Sequence, residues 1–281
     1  MSRAAAPARA NLAGVAVGGN EPVRIVGVVN ASPESFYSSS VARGRRALQQ
    51  AAARLEEEGA DIIDVGAMST APYRDAHIDE ATERERMVQA IRAVREVVRV
   101  PVSADTQRAR VAAAALDAGA AILNDVSGLR GDSAMAAVAR HAGGIILMAS
   151  EERPGGSGRI GMVRQLLRQS LAIVDRTDID RERVVVDPGV GFFRRCRRPW
   201  HEVDAEILRR LGELGELGRP ILIAVSRKSF LGRLTDRSDP GERLAASLAA
   251  AVIAVGNGAA VVRTHDVAAT RDAVRVAAAL R

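Results

Sequence analysis

Rings are scarce in this chain: its 281 residues include only four Phe, two Tyr and one Trp. A core of ordinary size must therefore be filled by aliphatic side chains, and an apolar content of 47% supplies them. Cysteine is scarcer still, because Cys196 stands alone. That excludes an internal disulfide and suits a reducing cytoplasm. The opening M-S-R-A-A-A-P-A-R-A-N-L has no apolar core of the secretory kind. Leu244 to Val255, the longest apolar stretch, falls short of the roughly 20 residues a bilayer span needs. The expectation is a soluble cytoplasmic protein without a membrane partner.

Lysine is as rare as cysteine. Lys228 is the only one, and every other basic side chain in the count of 40 Lys and Arg is arginine. Arginine offers a planar fork of donors, whereas lysine offers a compact ammonium on a flexible stem. A single lysine kept in such a chain marks a position where the fork does not serve. It follows P-I-L-I-A-V (220–225), an apolar run of strand length, and so is expected at the C-terminal end of a buried strand.

What is abundant is arginine, giving a net charge of +6 and a pI near 10.6. A basic balance of this kind can signal nucleic acid. Over 80–99 and 176–183, however, the arginines alternate with acids, as on solvated helix faces. Arg194, Arg195, Arg197 and Arg198 form the one local cluster, and no nucleic-acid signature accompanies it. No nucleic-acid partner is expected.

A unit recurs along the chain: a helical pattern, then Gly-Ala or Pro, an apolar strand, and a polar residue. It is clearest in E-E-G-A-D-I-I-D-V-G (57–66), D-A-G-A-A-I-L-N-D-V (117–126) and G-N-G-A-A-V-V-R-T-H (256–265). Gly59, Gly119 and Gly258 fall where a helix end needs a positive φ. Looser copies at 100–105, 144–148, 184–187 and 220–226, with 23–30 in front, bring the strands to eight. Their unbroken Val/Ile/Leu runs suit a parallel sheet buried on both faces. The predicted fold is α/β, a single-domain (β/α)8 TIM barrel over 21–281. Residues 1–20 are expected to be a flexible extension, reaching part of the barrel floor.

In such a barrel the chemistry sits at the C-terminal strand ends. Here these read Asn30, Asp64, Asp105, Asn124, Met148, Asp187, Ser226 with Lys228, and Arg263 with His265. All the aromatics, Phe36, Tyr37, Tyr73, Phe192, Phe193, Trp200 and Phe230, fall in the loops that follow strands. They are expected to anchor large loops or to stack on a flat heteroaromatic ligand. Asp105 and Asp187 suit a guanidine-like ring edge, which a carboxylate grips through two parallel bonds. No His or Cys neighbours them at zinc-ligand spacing, and no Ser-His-Asp set stands out. D-P-G-V-G-F (187–192) could cradle a phosphate, a weak signal alone.

The motifs V-G-V-V-N-A-S-P-E-S-F (26–36), D-I-I-D-V-G-A-M-S-T-A-P (61–72), S-A-D-T (103–106), I-L-N-D (122–125), D-P-G-V-G-F (187–192), S-R-K-S-F (226–230) and R-T-H-D (263–266) resemble, in order and spacing, the dihydropteroate synthases. The resemblance implies that Asp105, Asn124 and Asp187 bind a pterin ring with Met148 beneath it, and that Arg263 stacks on it. It implies that Lys228 contacts the pterin and lines an arylamine site with Ser226 and Phe192. Arg263 and His265 would hold pyrophosphate, Thr70 the second-loop contact, and Asn30 a Mg²⁺ ion. The implied reaction joins a hydroxymethyl-dihydropterin diphosphate to an arylamine in a homodimer.

Two departures fall together: Ala71 stands where the family has an arginine, and Ala149 where it has a histidine. The spelling of the first two loops looks closer to archaeal synthase-like proteins of methanopterin-type pathways. With Arg194, Arg195, Arg197 and Arg198 near the acceptor, a ribosylated aminobenzene phosphate competes with 4-aminobenzoate as the expected arylamine. A methyltetrahydrofolate-type methyltransferase on the same barrel and a non-catalytic pterin-binding paralogue are the alternatives.

Overall fold

Eight apolar runs, each buried along nearly its whole length, close into one barrel in a computed structural model that describes residues 8–32, 44–68, 78–150 and 159–280. A two-stranded hairpin comes first, β1 (Arg9–Leu12) and β2 (Val15–Gly18). The barrel strands are β3 (Arg24–Asn30), β4 (Ile62–Gly66), β5 (Val102–Asp105), β6 (Ile122–Asp125), β7 (Gly144–Met148), β8 (Val184–Asp187), β9 (Ile221–Ala224) and β10 (Ala259–Thr264). All eight pair in parallel in chain order, and β10 closes onto β3.

The helices are α1 (Arg45–Glu57), α2 (Glu80–Arg95), α3 (Ala109–Asp117), α4 (Met135–Ala139), α5 (Ile160–Arg176), α6 (Trp200–Arg209), α7 (Ser229–Thr235), α8 (Leu244–Gly256) and α9 (Val267–Ala279). Each barrel strand is thus followed by a helix, as predicted. The start of α2 shows how local the signals are. Asp79 caps it by accepting from Thr82 N–H at 2.9 Å, with acids in the first turn and arginines in the last. Gly59 and Gly119 end their helices at φ +100° and +108°, as the repeat foretold. A short helix, α7, starts directly after Lys228, and α6 is followed by a 3-10 turn over Leu211–Leu217.

Alternation along each strand sorts the side chains into two cores. Ile25, Val29, Ile63, Val65, Leu123, Leu147 and Val262 point outward and pack under the helices. Val26, Ile62, Ile122, Ile146, Val185, Leu222 and Val261 point inward. Ala10, Leu12 and Val17 of the hairpin join that inner group, with Leu12 wholly buried. The hairpin seals the floor of the barrel, with Leu12 against Gly144, where a Cβ would meet its side chain at 2.8 Å. From Ala8 onward, then, the expected flexible extension is a folded plug, because an eight-stranded barrel leaves apolar ends that water would otherwise reach. Among the described residues no helix is long and apolar enough to cross a membrane.

Candidate active site

Two residues beyond Ile62, Ile122, Val185 and Val261 the same strand face turns polar, at Asp64, Asn124, Asp187 and Arg263. The register sets Gly66 beside Asp105, Asp105 beside Asn124, and Met148 beside Asp187. Asp64, Arg263 and, just past β9 and β10, Ser226 and His265 complete this upper layer. It lies directly above the inward apolar side chains of the strands, so its charges are held in a poorly solvated place.

Arg263 is the centre of the layer. Its Nε donates to Asp64 Oδ2 at 2.6 Å and its Nη2 to Asp105 Oδ2 at 2.9 Å. Asn124 Nδ2 donates to the same Asp64 oxygen at 3.1 Å. The other oxygens, Asp64 Oδ1 and Asp105 Oδ1, are buried without a hydrogen-bond partner. Burial opposes the charge on Arg263, but Asp64 and Asp105 outweigh it and hold its pKa above the ordinary value. Burial raises Asp105 to about 7, with Arg263 opposing the rise and Asp64 adding to it. Asp64 was not among the predicted binders; its place at a strand end in D-I-I-D was the only signal available.

Lys228 and Asp187 form the second half. Lys228 donates from Nζ to the carbonyl of Val190, and that ammonium stands 5.1 Å from the centre of the Phe192 ring. Burial lowers its pKa to about 8, against the pull of Asp187 and Asp204. Asp187 accepts from Gly189 N–H at 2.8 Å, and burial raises its pKa despite Lys228. The sequence pair Arg227-Lys228 divides its labour. Arg227, at φ +56°, turns away and grips Asp266 with bonds of 2.8 and 2.6 Å, while the lysine enters the site.

Ser226 Oγ lies 3.0 Å from His265 Nδ1 and accepts from His265 N–H at 3.2 Å. Burial, with Arg263 adding to it, pushes the His265 pKa down to about 3, so the ring is neutral near pH 7. Asn30 and Asp105 flank Gly66, where a Cβ would stand 3.7 Å from Asn30 Oδ1 and 4.0 Å from Asp105 Cβ. Met148 is buried beside Gly189, 3.5 Å from where a Cβ there would lie. Thr70 and Ala71 lie outside the described residues, as do Phe36, Tyr37 and Tyr73.

Three expectations change. The loop of Asp187 to Phe192 does not present its amides to a phosphate, since Gly189 N–H and Gly191 N–H are taken by Asp187 and Asp204. Phe193 and Phe230 are core anchors, 0% and 1% exposed, leaving Phe192 and Trp200 half-buried. Arg194 and Arg198 of the arginine cluster are engaged by the protein itself. Arg194 donates to Gly191 O and Ser229 Oγ with its guanidinium 3.8 Å from the Trp200 ring, and Arg198 pairs with Glu202 and Glu206.

A closed (β/α)8 barrel thus holds carboxylates, an amide and two cations at its strand ends. The chain belongs to the family described as pterin binding enzyme, whose pattern matches residues 26–265. Similar relatives within it are named dihydropteroate synthase. Identity is 35% over 264 residues to that of Synechocystis sp., covering 91% of this chain and 89% of the relative. It is 37% to that of Mycobacterium leprae, covering 92% and 93%. Among solved structures, the Xanthomonas albilineans dihydropteroate synthase with 4-aminobenzoic acid superimposes with a TM-score of 0.85 at 33% identity, over 98% of each chain. The same enzyme in complex with 7,8-dihydropteroate gives 0.81 at 31% identity, over 97% and 98%.

Proposed function

We propose that this chain is a dihydropteroate synthase, a transferase of folate biosynthesis that condenses 6-hydroxymethyl-7,8-dihydropterin diphosphate with 4-aminobenzoate. The observation that carries the reading is the pair of unpartnered buried oxygens, Asp64 Oδ1 and Asp105 Oδ1, beside Asn124 and Arg263. Buried acceptors of this kind are costly unless a donor meets them. The amino-pyrimidine edge of a pterin is rich in donors, and Asp187 offers a third carboxylate to it. Met148 would floor the ring and Arg263 would cover it.

In the reaction the amine nitrogen bonds to the pterin methylene, the C–O bond to diphosphate breaks, pyrophosphate leaves, and the amine loses a proton. Lys228 and Arg263 stabilise the departing charge, and the neutral His265 offers it a ring N–H. Phe192, Ser226 and Lys228 border the acceptor. Thr70 is assigned to the diphosphate from its motif alone. Among the described residues no group of three His, Cys, Asp or Glu gathers to hold a metal. Asn30, across Gly66 from Asp105, nevertheless suits Mg²⁺, which takes few protein oxygens and completes its shell with water and phosphate. When bound, that ion would neutralise the diphosphate.

The complex with 4-aminobenzoic acid in the Xanthomonas relative supports that acceptor, and the partners of Arg194 and Arg198 weigh against a phosphorylated one. The exposed Ile253 of α8 and Val276 of α9 suit burial against a second copy of the chain, making a homodimer. The lone Cys196 accords with the cytoplasm. The test is release of pyrophosphate from the pterin diphosphate with Mg²⁺ and 4-aminobenzoate. Turnover confirms the reading; none with 4-aminobenzoate or a ribosylated aminobenzene phosphate overturns it.

A further inference from the structure

Asp204 is 1% exposed, on α6, and is used by none of the roles assigned above. Its Oδ1 accepts from Gly191 N–H at 2.7 Å, and its Oδ2 is buried without a hydrogen-bond partner. Gly191 N–H and the Val190 carbonyl belong to one peptide unit, and that carbonyl accepts from Lys228 Nζ. The carboxylate and the ammonium therefore hold opposite ends of the same peptide dipole. Polarised from both sides, each of its hydrogen bonds is strengthened. Gly191 also sets the path of the lysine stem. At φ +89° it would carry a Cβ 3.1 Å from Lys228 Cδ.

We propose that Asp204 is a positioning residue for Lys228, acting through the Val190–Gly191 peptide. The proposal rests on the reading of Lys228 as a residue that contacts substrate. The charged groups around Lys228 are Asp187 from the end of β8, Asp204 from α6, Arg263 from β10 and Arg194 from the loop before α6. Asp204 itself is faced by Arg194, Lys228 and His201. Two carboxylates thus offset two arginines around one buried ammonium, and Asp204 is the one that does not border the pterin. Burial raises the Asp204 pKa, so its charge is held at a cost to the fold. Such a carboxylate serves the site rather than stability.

The experiment compares Asp204→Asn, Asp204→Ala, Lys228→Met and the Asp204→Asn/Lys228→Met pair in pyrophosphate release across pH, with thermal melts of each. Asp204→Asn keeps an oxygen for Gly191 N–H and removes the charge. It is expected to lower kcat/KM about tenfold at pH 8 and move the alkaline limb down by about one pH unit. Its melting temperature at pH 7 is expected to match or exceed that of the unaltered protein. Asp204→Ala, which loses the acceptor as well, is expected to lose about 100-fold. In the Lys228→Met background, Asp204→Asn is expected to cause no further loss.

A purely structural role would lower the melting temperature and leave the pH limb in place, and that result overturns the proposal. So does a full additional loss in the double variant. Should Lys228→Met keep normal rates, the reading of Lys228 itself fails. Should Lys228→Met be inactive while Asp204→Asn behaves as the unaltered protein, only the positioning role falls.

Discussion

Arg263 and Asp64 stand 199 positions apart in the chain, yet Arg263 Nε lies 2.6 Å from Asp64 Oδ2. They meet because β10 and β4 both pair with β3, one on either side. Asp64 is wholly buried, so Arg263 is the cation that makes its charge tolerable. Removing one partner of a buried pair typically costs about 3–5 kcal/mol. Arg263→Leu is therefore expected to lower stability by about that amount in urea unfolding, together with loss of pterin binding. A variant that unfolds at the same urea concentration would show that the fold does not depend on this pair.

Lys228→Arg preserves charge and is expected to lower kcat/KM by about 100-fold. The lysine stem runs 3.1 Å from where a Cβ on Gly191 would sit, and its head reaches one carbonyl. A guanidinium is wider, and its fixed fork cannot reproduce that single donation. Steady-state rates of the two proteins decide the matter, near-equality meaning that any cation serves.

Asp187→Asn exchanges one of two acceptors for a donor, opposite a ring edge that itself donates. The expected result is a pterin Kd raised about 10- to 100-fold, the equivalent of roughly 1–3 kcal/mol. Fluorescence quenching by a pterin reads it directly. Thermal melts are expected to change little, since burial already works against the native charge of Asp187.

The pH dependence has an unusual sign at Asp105. Its folded pKa of about 7 lies above the ordinary 3.8, so the folded state holds the proton more tightly. Its contribution to stability is present below the ordinary carboxylate range and is lost as pH rises towards 7. Ligand affinity runs the other way, because a donor edge prefers the ionised carboxylate. Pterin binding is expected to tighten between pH 6 and pH 8 (about one unit either side of that pKa), and Asp105→Asn to flatten the dependence. Calorimetric titration at several pH values checks both.

Leu12→Ala is expected to destabilise the barrel by about 2–5 kcal/mol, as for other wholly buried leucines. The hairpin lies at the floor, far from the strand-end site, so kcat and KM at temperatures where the variant is folded should be unchanged. A melting temperature like that of the unaltered protein would mean the plug is dispensable.

The barrel was legible in the chain because its signals are local. A run such as V-V-V-D or G-I-I-L-M buries on both faces wherever its neighbours lie, and Gly59 or Gly119 ends a helix through its own backbone. Alternation then placed Asp105, Asn124, Asp187 and Arg263 on one face at the strand ends, and the solitude of Lys228 marked it without any partner in view. What the tertiary structure alone decided was who meets whom. Barrel closure made Asp64 the shared acceptor of Asn124 and Arg263. Packing drew Phe193 and Phe230 into the core, and folded residues expected to be a flexible extension into a plug at the barrel floor. Asp204 reads in sequence as one more acid on a helix. Only the approach of α6 to the Val190–Gly191 peptide puts it opposite Lys228, because contact between distant residues depends on closure of the whole barrel and leaves no local mark.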